Sequence, residues 1–479
     1  MRELWPYVVP FPLDAEARRT TWDVLSSRVG MAILRALKLG EKNYQKDLLA
    51  KLPFSNKSVI NYLRKMVSAG ILREGIDRVR VRLGRVIRVK WYVPTEFGKW
   101  LILFLREPDE ITPEEAREAI RELLCSYISR VYEASSRYGL DFPSLMATSC
   151  REAVRKILAS SPRLEPDVVI FGCPALDIYG RLMGFPAAGE CSLLEETASF
   201  PGGMGANVAV ALARLGVKVA FVGAVGEDWA SAMVLKAMAR DGVDISGVWP
   251  THGQLLRTLI MFDESGSRRL IALRLKDVVL SPPELTKRAR ELLKMAKIVY
   301  LGEVFVELAS QVAEEAKRMG KLLIYRPGSP YARLGLERLR EPLSRADIFI
   351  INEVSWRLLK RASLGLSHPK DLLELGPRRV ILTLGERGCV LYEEGREERF
   401  EVPEVLRSAY QVVDETGAGD AFSSGLIRAL LNGASMEEAI RYGQAAAAIA
   451  CSRLGAYPSF PTTEEVEEAL KLVRGRTGA

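Results

Sequence analysis

Apolar residues recur along this 479-residue chain with two periods, one typical of helices and one typical of strands. Helical spacing follows two glycine-rich turns, over 204–216 and 421–431. It recurs in the first third of the chain, over 44–52, 56–70 and 112–131. Strand signals occur in three places. Residues 348–351 form a short apolar run, and the runs at 255–263 and 268–273 are joined by a Gly-containing turn. Residues 78–91 alternate between basic and apolar side chains. The pattern predicts mixed helices and strands, with no internal repeat.

The clearest chemical signal is the segment Asp-Glu-Thr-Gly-Ala-Gly-Asp at 414–420. It places a glycine turn directly before a predicted helix. Unpaired backbone N–H groups and the positive end of the helix dipole would hold a transferring phosphate at Gly417, Ala418 and Gly419. Asp420, in the first turn, would accept the proton of the acceptor hydroxyl. The segment therefore predicts phosphoryl transfer, although an acidic first turn after a glycine loop also occurs without any such role.

A second glycine turn, Gly-Gly-Met-Gly-Ala-Asn at 202–207, opens a helix of small residues. Together the two segments resemble the ribokinase family of carbohydrate kinases, also called PfkB-type, and ordered matches run from about Asp167 to Pro461. The resemblance implies an α/β fold with a doubly wound sheet, and a small β lid over the sugar site formed by the hairpin at 255–273. It also implies ATP and Mg²⁺ as cofactors, a sugar or sugar-like substrate, and a homodimer formed through the lid.

The same resemblance implies roles for individual residues. Substrate hydroxyls would be held by Asp177, Gly202, Gly203 and Asn207. The nucleotide would be bound by Asn352, Thr383, Gly385 and Gly388, with the metal at Glu353.

Three positions depart from the family pattern. Met204 stands where many relatives carry a polar or basic residue, and Ser355 replaces the glutamate of an Asn-x-x-Glu motif. Glu353 would substitute for that glutamate through a metal-bound water or else point to solvent. Arg326 begins Arg-Pro-Gly where relatives often show Asp-Pro-Asn, and we interpret it as an ordinary surface arginine, because Arg is seldom buried. The alternative is a contact to an acidic or phosphorylated substrate.

Two functions stay open on these residues. An intact Asp420 favours an active carbohydrate kinase. Ser355 and Arg326 favour a sugar-sensing transcription regulator whose kinase domain is weak or inactive.

The first third of the chain has a different charge. Residues 1–106 contain 21 Lys and Arg against 9 Asp and Glu, a net charge of +12, whereas the whole chain carries +8. Within this part, a short helix at 44–52 and a second helix capped by Ser55 precede the basic alternation at 78–91, which breaks around Gly84. This order resembles the winged helix-turn-helix family of DNA-binding domains.

The resemblance implies double-stranded DNA as a partner, with the second helix in the major groove and the hairpin on phosphates. The residues that would contact DNA are Lys57, Asn61, Arg64, Lys65, Arg78, Arg80, Arg82 and Arg88. A protein-interaction domain whose charges are only a solvated face is the alternative.

The remaining features give the domain organisation and location. A helical connector, opened by a capping box at Thr112–Glu115, separates the two parts, so the expected division is 1–106, 107–163 and 164–479. The apolar run at 100–105 is too short to span a membrane, and the six cysteines show no metal-ligand spacing. These features favour a cytoplasmic protein, and the low content of Asn and Gln, 11 residues in all, leans towards a thermophile.

Overall fold

The computed structural model describes residues 15–39, 41–80, 86–106, 112–264, 268–273 and 285–477. The chain divides into two compact units, Met1–Phe142 and Pro143–Ala479. The boundary falls inside the predicted connector, so its first helix belongs to the first unit and its second helix to the second. The three-part division at 106 and 163 stays a prediction.

The first unit contains helices and a small antiparallel sheet. Its elements are α1 (Ala15–Ser26), α2 (Arg28–Ala36), β1 (Asn43–Tyr44), α3 (Gln45–Lys51), α4 (Asn56–Ser68), β2 (Leu72–Arg80), β3 (Val86–Pro94), α5 (Glu96–Leu105) and α6 (Pro113–Arg137). The strand order is β1-β3-β2. Ser55 caps α4 by accepting a hydrogen bond from the Ser58 amide, which confirms that predicted start. The hairpin is confirmed, with longer strands than the basic alternation alone indicated.

The core of the first unit joins its helices to its sheet. Buried residues of α2, α4, β3 and α5, among them Ile33, Leu63, Tyr92 and Ile102, form one cluster. The predicted capping box of α6 is also present, because the Thr112 hydroxyl accepts from the Glu115 amide and the Glu115 carboxylate accepts from the Thr112 amide. Local sequence signals therefore set the ends of these helices.

The described residues of the second unit form fourteen strands, and eight of these strands make up its main sheet. Its strands are β4 (Val168–Phe171), β5 (Ala175–Arg181), β6 (Glu195–Gly202), β7 (Val219–Val222), β8 (Ala224–Val225), β9 (Trp249–Pro250), β10 (Leu256–Phe262), β11 (Arg268–Leu273), β12 (Ile298–Leu301), β13 (Leu322–Tyr325), β14 (Ile348–Asn352), β15 (Arg379–Thr383), β16 (Cys389–Glu393) and β17 (Arg396–Phe400). The large sheet has the order β17-β16-β15-β14-β13-β12-β4-β7. Neighbours from β15 to β7 pair in parallel, and β16 and β17 add antiparallel edges.

Helices cover both faces of this sheet. They are α7 (Phe142–Ala159), α8 (Met204–Arg214), α9 (Trp229–Arg240), α10 (Lys287–Met295), α11 (Val306–Arg318), α12 (Gly328–Ala332), α13 (Leu336–Arg345), α14 (Glu353–Arg361), α15 (Glu404–Ala409), α16 (Ala418–Leu431), α17 (Met436–Cys451), α18 (Ala456–Ser459) and α19 (Thr463–Thr477), with 3₁₀ turns at Pro369–Leu375 and Gly385–Arg387. Alternate strand residues face opposite cores: Ile170 packs with α8 and α16, and Val169 with α10 and α11. This arrangement confirms the doubly wound α/β sheet.

A separate four-stranded sheet has the order β11-β10-β5-β6. Its β10–β11 hairpin is antiparallel, as predicted, while residues 265–267 of the expected turn lie outside the described residues. Leu270 and Ile271 of β11 are exposed. Within the described part of the chain, no helix is both long enough and apolar enough to cross a membrane.

Candidate active site

The first turn of α16 forms the centre of the site. Gly417 precedes the helix with a φ of 85°, a left-handed conformation that favours glycine. A Cβ on Gly419 would lie 2.3 Å from Nη2 of Arg326, so a side chain there would displace the guanidinium group. Asp420, one residue further on, is buried. The glycines therefore shape the turn and leave room for a guanidinium group against it.

Asp420 is held from two sides. Nδ2 of Asn207 donates to Oδ2 of Asp420 at 2.9 Å, and Nη1 of Arg326 donates to Oδ1 at 2.6 Å. The side chains of the ion pair are only 12% and 9% exposed for Arg326 and Asp420. Interpreting Arg326 as a surface arginine is therefore wrong. The residue directly follows β13, and the sheet directs its side chain to the carboxylate of α16.

The second glycine turn delivers Asn207. Gly203 has a φ of 90° at the start of α8, and a Cβ there would lie 2.3 Å from the carbonyl oxygen of Cys173. Asn207 is buried in the first turn of this helix, and its Oδ1 has no hydrogen-bond partner among the described residues. A buried acceptor without a partner is costly, so this atom is suited to accept a hydrogen bond from a ligand hydroxyl.

Asp177 comes from β5, opposite Thr258 of β10 and Phe200 of β6. A Cβ on Gly202 would lie 2.1 Å from Oδ2 of Asp177, so this glycine makes room for the carboxylate. Burial raises the pKa of Asp177 to about 7, against the effect of a hydrogen bond from Thr258. The Asp177 carboxyl group therefore titrates near neutral pH.

Glu303 is a site residue that the sequence did not indicate. It lies two residues beyond β12, and a Cβ on Gly328 would lie 2.2 Å from its Oε1. Burial raises the pKa of Glu303 to about 7, the negative charge of Asp420 raises it further, and Arg326 lowers it. A carboxylate just past the end of a parallel strand was the available signal, because such ends meet at one edge of the sheet.

The small sheet contacts the glycine turn through Arg268, which sequence reasoning also missed. Nη1 of Arg268 donates to the Thr416 hydroxyl at 2.7 Å and lies 3.4 Å from Oδ1 of Asp414. Asp414 is fully buried and accepts from the amides of Thr416 and Gly455. The first residue of β11 is thus tied to the loop that precedes Asp420.

The predicted nucleotide residues lie at neighbouring strand ends. Asn352 of β14 and Thr383 of β15 are directly paired. Gly385 and Gly388 follow with φ values of 64° and 83°. A Cβ on Gly388 would lie 1.9 Å from a backbone carbonyl oxygen, whereas one on Gly385 would meet nothing within 4 Å. The fold therefore requires glycine at 388, while the surface beside Gly385 is open.

The predicted metal residue is engaged elsewhere. Glu353 forms an ion pair with Arg387, with its Oε2 2.8 Å from Nη2. Asn352 uses its side-chain oxygen to cap α14 by accepting from the Ser355 amide. The Ser355 side chain is buried against the Ser329 hydroxyl at 3.0 Å. The described residues contain no group of three His, Cys, Asp or Glu side chains that could hold a metal ion.

In the first unit, the predicted DNA-contacting residues fall into three groups. Lys57, Asn61 and Arg64 of α4 are exposed, whereas Lys65 forms an ion pair with Asp23 of α1. Arg78 and Arg88 are exposed and lie directly opposite each other on the hairpin. Arg82 lies outside the described residues, as does the Arg80 side chain. The hairpin therefore exposes two positively charged side chains that lie opposite each other.

The comparisons with known proteins identify the class. Residues 166–463 match the model of the pfkB family of carbohydrate kinases, so the chain belongs to this family of phosphotransferases. It is 31% identical to a ribokinase from Haemophilus influenzae, across 56% of this chain and 87% of that protein. It is also 31% identical to fructokinase-1 from Oryza sativa subsp. japonica, across 62% of this chain and 96% of that protein.

Solved structures agree in fold. A ribokinase from Thermotoga maritima superposes with a TM-score of 0.55 at 30% identity, covering 64% of this chain and 99% of that one. A ribokinase from Arabidopsis thaliana, complexed with ribose and ATP, gives a TM-score of 0.56 at 27% identity with the same coverage. The confirmed part of the prediction is the carbohydrate kinase in a ribokinase-like α/β fold.

Proposed function

We propose that the second unit transfers the terminal phosphoryl group of ATP to a hydroxyl of a sugar or sugar-like substrate. The observation that carries this proposal is the position of Asp420, buried in the first turn of a glycine-opened helix and hydrogen-bonded to Asn207. That turn offers the Gly419 amide to a phosphate, while the Ala418 amide donates to the carbonyl oxygen of Glu415, and Asp420 offers a proton acceptor beside it.

In this reaction the substrate oxygen forms a bond to the terminal phosphorus, and the bond from phosphorus to the leaving ADP oxygen breaks. Asp420 takes the proton of the attacking hydroxyl. The backbone of Gly417, Ala418 and Gly419 holds the charge that develops on the transferring group. A loose phosphoryl-transfer transition state leaves little covalent chemistry to the protein, so the protein mainly positions the reactants and neutralises their charge.

Asp177 and Asn207 would orient the substrate. The free Oδ1 of Asn207 accepts from one hydroxyl, and the Asp177 carboxylate accepts from others. Gly202 and Gly203 keep side chains out of this space. Several acceptors converging on one small buried region suit a polyhydroxylated ligand. The printed names of the relatives, ribokinase and fructokinase, support the same substrate class.

Asn352, Thr383, Gly385 and Gly388 would bind the nucleotide at the ends of β14 and β15. Mg²⁺, the usual companion of ATP, would reach the site on the nucleotide phosphates, since Mg²⁺ commonly binds through substrate phosphates. Glu353 stays its proposed protein contact, through a metal-bound water, and its exposed ion pair with Arg387 would open first.

The test measures nucleotide consumption by the full-length protein against a panel of sugars, sugar phosphates and nucleosides, with ATP and ADP as donors. We expect turnover with ATP and at least one polyhydroxylated acceptor. Binding of a sugar by calorimetry without any turnover would instead support the alternative, a sugar-sensing regulator with an inactive kinase domain. The Arg326–Asp420 ion pair and Ser355 are the observations that favour that alternative.

We further propose that the first unit is a winged helix-turn-helix domain that binds double-stranded DNA. The supporting observations are the α3–α4 pair followed by the β2–β3 hairpin, and the facing Arg78 and Arg88. Like charges directly opposite each other destabilise a hairpin, so a polyanion between them would be favourable. A selection from random duplexes with the full chain tests the proposal, and no enrichment of any sequence would favour a protein-interaction domain.

The remaining expectations complete the proposal. A homodimer would form through the small sheet, and the exposed Leu270 and Ile271 of β11 are consistent with such a surface. Light scattering of the purified chain tests that state. A cytoplasmic location and a thermophilic source stay predictions.

A further inference from the structure

We propose that Arg326 is a catalytic residue, whose guanidinium contacts the transferring phosphoryl group with one edge while it holds Asp420 with the other. This proposal rests on the phosphoryl transfer proposed above. It assigns a specific source of positive charge at the reacting atoms.

The position of the guanidinium is the first observation. The backbone of Arg326 extends β13, because its amide donates to the carbonyl oxygen of Leu301 at 2.8 Å. The side chain then reaches the first turn of α16, where Nη2 occupies the space that a Gly419 side chain would fill. Nη2 of Arg326 therefore lies next to the glycine turn whose backbone would hold the phosphoryl group.

The second observation is that the two terminal nitrogens of the guanidinium group lie next to different groups. Nη1 donates to Oδ1 of Asp420, so one edge of the planar fork is fixed. Nη2 is presented beside Gly419. Arginine carries five N–H donors in a rigid plane, so it can hold a carboxylate and a phosphoryl oxygen together, whereas a lysine cannot do so with the same geometry.

The charge balance of the site is the third observation. Four carboxyl groups influence one another here: Asp177, Glu303, Asp414 and Asp420. Such a cluster repels an incoming triphosphate. A part-buried arginine at the reacting centre offsets this repulsion. Removing two charges from water is costly, and the Arg326–Asp420 pair differs from the shielded Arg288–Asp244 pair in lying against the glycine turn of α16.

The step balances without a further reactant. The acceptor oxygen bonds to the terminal phosphorus, ADP departs with the electrons of the broken P–O bond, and Asp420 receives the hydroxyl proton. Arg326 stays protonated throughout and donates hydrogen bonds that strengthen as negative charge spreads over the phosphoryl oxygens.

The test compares Arg326→Gln and Arg326→Lys with the wild type on the best substrate found in the acceptor panel. We expect kcat to fall by roughly 10²- to 10³-fold in both variants, with the KM for the sugar changed by less than about threefold. Added guanidinium ion should partly restore the Arg326→Gln rate. If the wild type has no turnover, the proposed function itself fails, which is distinguishable from failure of this inference.

A second readout does not depend on turnover. ADP with aluminium fluoride and the sugar mimics the transferring group, and calorimetry should show that the wild type binds this combination much more tightly than ADP and sugar alone. In both Arg326 variants that gain should be lost while binding of ADP alone persists. Equal gains in wild type and variants would overturn the proposal.

A matched control separates chemistry from folding. Arg288 of α10 is also a part-buried arginine, with Nη2 3.4 Å from Oδ2 of the fully buried Asp244. Arg288→Gln should lower the unfolding temperature and leave kcat unchanged.

If Arg326→Gln fails to fold, Arg326→Lys still carries the test because it keeps the charge next to Asp420. A rise in KM confined to acidic sugars, with kcat unchanged, would overturn the proposal and identify Arg326 as a substrate-binding residue instead.

Discussion

The charges of the two units are arranged in opposite ways. Around Asp420 in the second unit, charged side chains are largely shielded from solvent and carboxyl groups predominate, with Arg326 paired to Asp420. On α4 and the β2–β3 hairpin of the first unit, Lys57, Arg64, Arg78 and Arg88 are exposed, and two of them face each other. The shielded ion pair holds its side chains in one geometry, whereas exposed charges each contribute little. Single substitutions should therefore act strongly in the first case and weakly in the second.

The largest effect is expected from Asp420→Asn. Removal of the general base should lower kcat by roughly two to four orders of magnitude, while calorimetry still detects sugar binding. Asparagine preserves the volume of the side chain but leaves Arg326 without its carboxylate, so thermal unfolding must be measured in parallel. A folded variant with most of the wild-type rate would show that Asp420 is not the base.

A smaller loss is expected from Gly419→Ala. The added Cβ would lie 2.3 Å from Nη2 of Arg326 and would displace the guanidinium from the turn. A displacement of this kind near reacting atoms can cost about 10²-fold in rate. Gly184→Ala is a matched control, because a Cβ there meets nothing within 4 Å. Similar rates for the two variants would argue against a role for the guanidinium at this turn.

A third prediction concerns Asp177. Replacement by alanine should weaken sugar binding by about 1 to 3 kcal/mol, because substrate hydroxyls lose an acceptor in a buried place. Calorimetry measures this directly. Unchanged affinity would exclude Asp177 from the substrate site.

The pH dependence of sugar affinity follows from the same residue. The pKa of Asp177 is raised to about 7 by burial, and the carboxyl group faces Thr258, Asp420, Glu303 and Asp414. The ionised form is the stronger acceptor, so affinity for a neutral sugar should rise as pH increases through about 7.

Stability should change in the opposite direction. Between about pH 4 and pH 7 the folded chain keeps a proton on Asp177 that the unfolded chain has released, so the free energy of unfolding falls as the pH rises. Asp177→Asn should flatten the affinity profile relative to a Glu303→Gln variant, which retains the Asp177 titration, whereas either variant should reduce the slope of the stability profile, because the pKa of Glu303 is also raised to about 7.

The smallest single effects are expected in the first unit. Arg88→Gln should weaken all duplexes alike and reduce the log-log salt slope by about 0.9, the contribution of one phosphate. Arg64→Gln should instead relax sequence preference. Arg18→Gln on α1 is an exposed control of the same charge change. Identical salt slopes for all three variants and the wild type would indicate that the hairpin does not contact phosphates.

The difference between the units also explains how far the sequence could predict each site. Gly417 and Gly203 were recognisable because a glycine turn before a small-residue helix is a local signal, and both glycines have a positive φ. Arg326 was misinterpreted because its partner Asp420 lies 94 residues further along the chain. Glu303 and Arg268 were missed for the same reason: only the sheet order places their strand ends beside α16.

The sequence by itself determined the ends of the helices, the period of the strands and the glycine turns, because each of these depends on the conformational preferences of residues within a few positions of one another. It also determined the family, through motifs that the chain carries in order. The tertiary structure alone decided which charges meet. Asn207 and Asp420 are separated by 213 residues, and their hydrogen bond exists because the parallel sheet brings the starts of α8 and α16 together. The physical reason is that side-chain pairing depends on distances set by packing of the whole sheet, and no local pattern encodes those distances.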